Sequence, residues 1–231
     1  MDALLGALDR LIAKKRDLKQ AAMQQLLTAQ TRLPGFRGEW EVKRLGDVAQ
    51  LHRISVIPAS QPSQMFIHLS LPAFDAGKTP VVELGSAIGS AKFRVPQGSI
   101  LVSKLNPRIP RAWAPKDING DTIASTEFLV LTPRESISRC FLFVICSSEL
   151  FCEQMALAAT GTTGSHQRIS PGGALALKTS IPIDVVEQAA IAAVLSGMDA
   201  ELEALKQRRA KTAMIKQGMM QELLTGRTRL V

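Results

Sequence analysis

Apolar residues recur at three- and four-residue steps at both ends of the chain, and this spacing predicts a long helix at each end. The first helix is expected from about residue 3 to 30, and neither segment contains proline. At 1.5 Å per residue each would be roughly 45–50 Å long, and such a narrow apolar stripe needs a partner helix. We therefore predict an antiparallel coiled coil. Its pairing residues are expected to be Leu4, Leu8, Leu11, Leu18, Leu202, Leu205, Met219 and Leu223.

The two ends are also copies of one another. Residues 1–33 align without a gap on residues 198–230, at an offset of 197, so that Met1-Asp2-Ala3 repeats as Met198-Asp199-Ala200. Leu26-Leu27-Thr28 likewise repeats as Leu223-Leu224-Thr225. A repeat spaced this widely is not a solenoid, because a short-period array stacks neighbouring units. It indicates two like helices on either side of one unlike block.

Between the helices the pattern changes to short apolar runs. Alternation over Trp40–Leu45 predicts a half-buried strand, and further strands are expected at residues 65–69, 98–103, 127–131 and 175–183. A helix is expected from Ser138 to about Ala159 and another from Val186, with a bend near Gly197. The predicted class is α+β, with three parts: a helix over 1–33, a mixed α/β domain over 34–185 and a helix over 186–231.

Charge is unevenly distributed along this plan. The net charge is +8, and each end segment carries +3. Within the central block no acidic residue occurs between Glu83 and Asp117, while six basic residues do. These are Lys92, Arg94, Lys104, Arg108, Arg111 and Lys116. Such a cluster is either a solvated basic face or a surface for phosphate, and the lack of any acid favours phosphate. The basic centres of the helices are a second, weaker candidate for nucleic acid.

Several other classes of function are not supported. His52, His68 and His166 are too far apart, with too few nearby acids, to suggest a metal site. No glycine-rich strand-to-helix loop suggests a cofactor, and no recognisable setting suggests a hydrolytic triad. No run of 18 apolar residues predicts a membrane span, and the N-terminus lacks the pattern of a secretory signal. The three cysteines, Cys140, Cys146 and Cys152, are expected to be buried reduced thiols of a cytoplasmic protein.

A series of short stretches resembles the specificity (S) subunits of type I restriction–modification systems. The order Leu33-Pro34-Gly35-Phe36, Trp40 and Leu45-Gly46-Asp47-Val48 resembles the opening of a target-recognition domain of that family. Further agreement lies at residues 98–104, 124–128 and 160–163, and in the exit Ile181-Pro182-Ile183, Glu187-Gln188 and Ile191. No single stretch is specific, but together with the repeated helix they cover nearly the whole chain in order.

The resemblance implies a DNA-reading subunit without catalytic activity or cofactor. Family members usually carry two recognition domains, each reading one half of a split DNA sequence, and two helices that dock methyltransferase (modification) subunits. This chain departs from the pattern, because it has one recognition domain and two helices. A second domain would then come from a homodimer or from another specificity half, and the restriction/translocase subunit would join through the complex. The alternative is a scaffold or anti-restriction decoy that binds modification subunits but reads no DNA.

Two loops are the candidates for DNA contact. In the first, Lys104 and Arg108 suit phosphate, and Asn106 and Arg111 suit base edges. The second is a small polar loop that starts at Thr160, where glycines allow close approach and hydroxyl groups suit phosphate oxygens. Its candidates are Thr162, Ser165, His166, Gln167 and Arg168. Either this loop contacts DNA or it holds the domain to its helix.

Overall fold

The structure, a computed structural model, describes residues 1–161 and 167–225. Its helices in this part of the chain are α1 (Asp2–Leu27), α2 (Leu45–Val48), α3 (Leu71–Asp75), α4 (Arg139–Ser147), α5 (Glu149–Leu157), α6 (Pro171–Ala176) and α7 (Val185–Leu224). Its strands are β1 (Trp40–Arg44), β2 (Ala49–His52), β3 (Ser55–Val56), β4 (Met65–Leu69), β5 (Val81–Leu84), β6 (Lys92–Arg94), β7 (Ile100–Ser103), β8 (Ala112–Trp113), β9 (Thr122–Ser125), β10 (Phe128–Pro133) and β11 (Lys178–Pro182). The predicted α+β class, with a long helix at each end, is confirmed.

The two terminal helices pair side by side and run antiparallel. Four ion pairs join them, and the residue number in α1 falls from pair to pair as the residue number in α7 rises. The pairs are Lys19–Asp199 at 2.5 Å, Lys15–Glu201 at 2.7 Å, Asp9–Arg209 at 2.9 Å and Asp2–Lys216. Two of these pairs are the same pair occurring twice. Asp2 repeats as Asp199 and Lys19 repeats as Lys216, so the helix pair has an approximate twofold axis across it.

The face that α1 turns towards α7 differs from the predicted stripe. Leu8 and Ile12 are buried on that face, together with Leu202 of α7. Leu4, Leu11 and Leu18 are instead 44%, 39% and 48% exposed. The real contact face continues through Lys15 and Lys19. These residues form ion pairs with α7 at positions of the contact face where apolar residues were expected. A stripe traced through leucines alone is therefore rotated around the helix.

The predicted pairing also fails near the end of α7. Met219 and Leu223 are 55% and 39% exposed, while Leu205 is half-buried. The cause is register. Lys216 already lies opposite Asp2, the first residue of α1, so the last two turns of α7 extend past its partner.

The central block is layered, with a four-stranded sheet in the middle. Its order is β2-β10-β7-β8, and a five-stranded sheet of order β3-β6-β9-β4-β5 packs on one face. Helices α4 and α5, with the end of α1 and the start of α7, cover the other face. Within β7, Ile100 and Val102 face the helices while Leu101 faces the second sheet. Because side chains alternate along a strand, a sheet covered on both sides needs apolar residues at every position.

The predicted helix over 138–159 is in fact two helices bent at Ser148. The Ser148 hydroxyl accepts a hydrogen bond from the amide of Phe151, and its backbone is extended, so it caps α5 and ends α4. Burial differs from expectation at one thiol, since Cys140 is exposed while Cys146 and Cys152 are buried; all three are free.

The exit of the block also departs in part from the prediction. The strand expected over 175–183 begins only at Lys178, because Ser170 caps the short helix α6, which runs to Ala176. The expected bend near Gly197 does not interrupt α7, which is one continuous helix of 40 residues.

A buried polar clamp joins the two long helices to the block. Arg32 donates from Nε and Nη2 to the carboxylate of Glu187, which is 1% exposed, and Trp40 donates to the same carboxylate. The neighbouring Gln188, wholly buried, accepts from the amide of Ser138 and donates to two backbone carbonyls. The end of the first repeat copy is thereby fixed to the start of α7.

No single helix within residues 1–161 and 167–225 has the length and apolar character to cross a membrane. The pair α4 and α5, bent by 61°, meets that test only when the two are joined, and only by length and composition.

Candidate nucleic-acid interface

The two loops chosen from the sequence lie against each other. Arg168 forms isolated bridges with both Leu105 and Thr160. The amide of Asn106 donates to the carbonyl of Gln167 at 2.8 Å, and the amide of Ile169 donates to the carbonyl of Lys104 at 3.1 Å. The two loops therefore form one continuous surface, which we call the loop surface and which consists of residues 104–111, 160–161 and 167–168.

Carboxylates orient two arginines of the loop surface. Arg111 donates from Nε and Nη2 to both oxygens of Asp75, at 2.8 and 2.9 Å. Arg168 does the same to Glu127, at 3.1 and 3.3 Å. The hydrogen bond from Arg111 lowers the pKa of Asp75 below its ordinary value. Such forks fix the plane of each guanidinium. The Arg168 side chain is 47% exposed, and the Arg111 side chain is 14% exposed.

The first loop has a defined shape at Asn106. Its φ is +50°, a left-handed conformation that asparagine adopts more readily than most residues. Its side-chain oxygen is buried and accepts no hydrogen bond from the described residues. Next to it Pro107 is buried, whereas Arg108 and Pro110 are exposed. The loop is thus anchored at its centre and presents Arg108 outwards, beside a cleft lined by Glu149 and Glu153.

Two residues of the predicted basic face are placed elsewhere. Lys92 is only 6% exposed, and its ammonium group donates to the carbonyl and hydroxyl of Ser90. Burial lowers its pKa, and Glu83 offsets part of that effect. Lys92 is therefore a buried residue of β6, and its ammonium group is not presented at the surface as the predicted contact with phosphate requires. Arg94, half-buried, donates to the carbonyl of Gly120.

Three of the predicted contact residues, Thr162, Ser165 and His166, lie outside the described residues. Two residues of the site were not singled out as contacts, Asp75 and Glu127, although each holds an arginine of the loop surface. Asp75 lies 36 positions from Arg111, so no local spacing could link them. Glu127 stands in one of the stretches that carry the family resemblance, which was the available signal.

The described histidines have separate structural partners. His52 contacts the hydroxyl of Thr132 at 2.7 Å in the four-stranded sheet, and burial lowers its pKa. His68 contacts Glu83 at 2.7 Å in the five-stranded sheet. Across residues 1–161 and 167–225, no three His, Cys, Asp or Glu residues are grouped so that they could hold a metal ion.

Comparison with known proteins gives structural matches only. Neither the protein-family models nor the curated proteins include a match. Among solved structures, the HsdS subunit from Thermoanaerobacter tengcongensis matches 96% of this chain, with a TM-score of 0.54 and 18% identity. The type I restriction–modification S subunit from M. genitalium matches 94%, with a TM-score of 0.62 and 12% identity. A chain from a study of complex assembly and conformational transition of the type I R-M system matches 79% of this chain, with a TM-score of 0.60 and 22% identity.

This chain spans about half the length of those proteins, since the matches cover 55%, 56% and 47% of them. The matched region includes both long helices and the layered block, because nearly the whole of this chain is covered in two of the three cases. At these identities the likeness establishes the fold. The chain therefore has the fold of the S subunits of type I restriction–modification systems, at about half their length.

Proposed function

We propose that this chain is a DNA-binding specificity subunit that reads one half of a bipartite DNA target. The observation that carries the proposal is the loop surface, because two segments selected separately for DNA contact meet through Arg168 and Asn106. The S-subunit fold supports the same role.

Different residues of the loop surface suit different parts of DNA. Lys104 and Arg108 are assigned to phosphate, because phosphate contacts require positive charge and not the reading of a base edge. Arg111 and Arg168 are assigned to base edges, because a guanidinium held by a carboxylate has a fixed plane, and discrimination between bases requires fixed geometry. Gln167 carries an amide suited to the same task. Asn106 shapes the loop, since its side-chain oxygen is buried.

Catalysis belongs to other subunits in this proposal. Modification (methyltransferase) subunits dock on the α1–α7 pair and methylate adenine, and the restriction/translocase subunit joins through the complex. The site of action is the cytoplasm, where these partners and the DNA meet. A second recognition domain, from a second copy or from another specificity half, reads the other half of the target.

Removing the charges of Lys104 and Arg108 tests the DNA surface. In the Lys104→Ala/Arg108→Ala variant we expect weaker binding to duplex DNA, and a slope of log affinity against log salt that is lower by about 2, because two phosphate contacts are lost. Fluorescence anisotropy over a series of salt concentrations measures both quantities.

The matched control removes two charges from the helix pair, at the repeat-related positions Lys14 and Lys211. Lys14→Ala/Lys211→Ala should leave the affinity and the slope nearly unchanged. If this control, and not the loop variant, lowers the slope, the DNA surface lies on the helices and the assignment of the loop surface is wrong.

A methylome separates the proposed function from the decoy. The chain is co-expressed with its modification subunit in a host without other adenine methylation, and modified bases are sequenced. A split palindromic motif means that two copies each read one half, and a split asymmetric motif means that a different half takes part. If the complex forms but no motif appears, the decoy replaces our proposal.

A further inference from the structure

Two short turns of the central block meet at a cleft with a volume of about 440 Å³. One turn follows α3 and carries Lys78, and the other follows β8 and carries Lys116. The aromatic rings of Trp113 and Phe143 line the cleft, and Asp117 is the carboxylate at its edge. We call this feature the lysine cleft, after Lys78 and Lys116. Its two cations outnumber its one anion.

The fold fixes the positions of both turns. In the first turn the amide of Lys78 donates to the carbonyl of Phe74 at 3.0 Å, and the Phe74 ring packs edge to face on Trp113. In the second turn the carbonyl of Pro115 accepts from the guanidinium of Arg139 in α4, at 3.0 Å. The two turns are thus held in place before any ligand arrives, which reduces the ordering entropy lost on binding.

Lys78 lacks a counter-ion. Its ammonium group lies 5.0 Å from the centre of the Phe74 ring, a cation–π contact. The ion pairs of residues 1–161 and 167–225 include neither Lys78 nor Lys116. Lys78 remains accessible to a ligand, although partial burial lowers its pKa below the ordinary value. An anion that enters the cleft would offset the cost of withdrawing this charge from water.

Lys78 lies between the loop surface and the helix pair. On one side, Asp75 stands three positions before it and binds Arg111 of the loop surface at 2.8 Å. On the other side, Asp199 of α7 raises the pKa of Lys78 and Lys19 of α1 lowers it, so both are near its ammonium group. Those two residues are already paired with each other at 2.5 Å. A duplex that leaves the loop surface along the helix pair therefore passes the lysine cleft.

We propose that the lysine cleft binds the DNA backbone just outside the half-site, in the spacer between the two halves of the target. Lys78 and Lys116 each contact one phosphate. A spacer has no sequence to be read, so contact with it must be to the backbone, and lysine binds phosphate whatever the sequence. The inference rests on the proposed function and adds to it the path of the duplex beyond the loop surface.

Removal of the Lys78 charge tests the cleft in the full chain. Lys78→Met keeps an unbranched stem on the Phe74 ring but loses the charge. On a mixed-sequence duplex, the slope of log affinity against log salt should fall by about 1, and by about 2 in the Lys78→Met/Lys116→Met variant. Lys78→Arg should keep the slope of the unaltered chain, because it keeps the charge. Fluorescence anisotropy over a salt series measures all three variants.

The matched control is Lys43→Met. It removes the same charge from β1, where Lys43 pairs with Glu41 at 2.8 Å away from the cleft, and should leave the slope unchanged. An unchanged slope in Lys78→Met overturns the proposal and assigns the cleft to an acidic segment of a partner protein. An equal fall in Lys43→Met, or a fall in Lys78→Arg as large as in Lys78→Met, also overturns it, because the charge at this cleft is then not the cause.

Duplexes of defined ends test the path of the DNA. A half-site identified by the methylome is extended either into the spacer or equally far in the opposite direction. Lys78→Met should abolish the affinity gained by extension into the spacer and leave the other gain intact, and the reverse result overturns the proposal. Lys104→Ala/Arg108→Ala should weaken binding to every duplex. If that loop variant has no effect, the proposed function fails; if it weakens binding while Lys78→Met does not, only the cleft fails.

Discussion

The end of α1 and the end of α7 have nearly the same sequence and opposite surroundings. Leu26 and Leu27 lie in the main core, while Leu223 and Leu224 are exposed. Helix propensity and the threonine at the helix end are common to both copies, and both segments are helical to the same residue. Local sequence therefore determines the helix and its last residue, whereas burial depends on what lies opposite.

The difference arises from how the chain enters and leaves the block. After Thr28 the chain turns through Leu33–Phe36 into β1, and Arg32 is tied to Glu187 at the start of α7. This connection holds the end of α1 under the α4–α5 corner. The copy in α7 begins from the block rather than ending at it, so its last turns point away from the only described corner.

Removal of Glu187 should have the largest effect, because it breaks the contact that holds the end of the first repeat copy to the start of α7. Glu187→Ala removes the carboxylate that is paired with the Arg32 guanidinium, at a site where this carboxylate is 1% exposed, and we expect the unfolding free energy to fall by about 3 to 5 kcal/mol. Urea denaturation followed by circular dichroism measures it. Glu41→Ala, which removes an exposed partner of Lys43, is the control. A loss under about 1 kcal/mol would mean that the clamp does not hold the helix end.

Repeat-related leucines give the next largest difference. Leu26→Ala should lower the unfolding free energy by about 3 kcal/mol, because it removes a side chain from a packed core. Leu223→Ala, its counterpart, is 39% exposed in this chain and should change it by less than about 0.5 kcal/mol. Equal losses in the two variants, measured by the same denaturation, would show that the end of α7 is buried in solution.

Elements with a long or repeated pattern were predictable from the sequence, and short ones were not. The strand expected over 65–69 is β4 to the residue, and both long helices are where the periodicity placed them. Strands such as β3 and β8 have two residues each, too few for alternation to be detected. The break at Ser148 was hidden because apolar residues continue on both sides of a serine that caps the second helix.

The candidate site was predictable as a set of residues but not as an arrangement. Basic residues on one stretch indicated a loop, yet nothing in the spacing could show that Lys92 turns inwards to Ser90. The pairing of Arg111 with Asp75 and of Arg168 with Glu127 depends on how the two sheets stack. Such contacts between distant positions are set by the packing of sheets and helices.

The smallest effect concerns the ion pair that occurs twice. Lys19→Met should lower the unfolding free energy by about 0.5 kcal/mol, since pairs exposed on a helix surface contribute little. Lys216→Met, at the equivalent position, should have a smaller effect, because its partner Asp2 is more exposed (79%) than Asp199, the partner of Lys19 (56%). Both effects should disappear at about 1 M salt, where the screening length is about 3 Å. Thermal denaturation at low and high salt measures them. A larger effect at Lys216 than at Lys19 would mean that a partner in solution orders the end of α7. The contrast between the buried end of α1 and the exposed end of α7 would then apply only to the isolated chain.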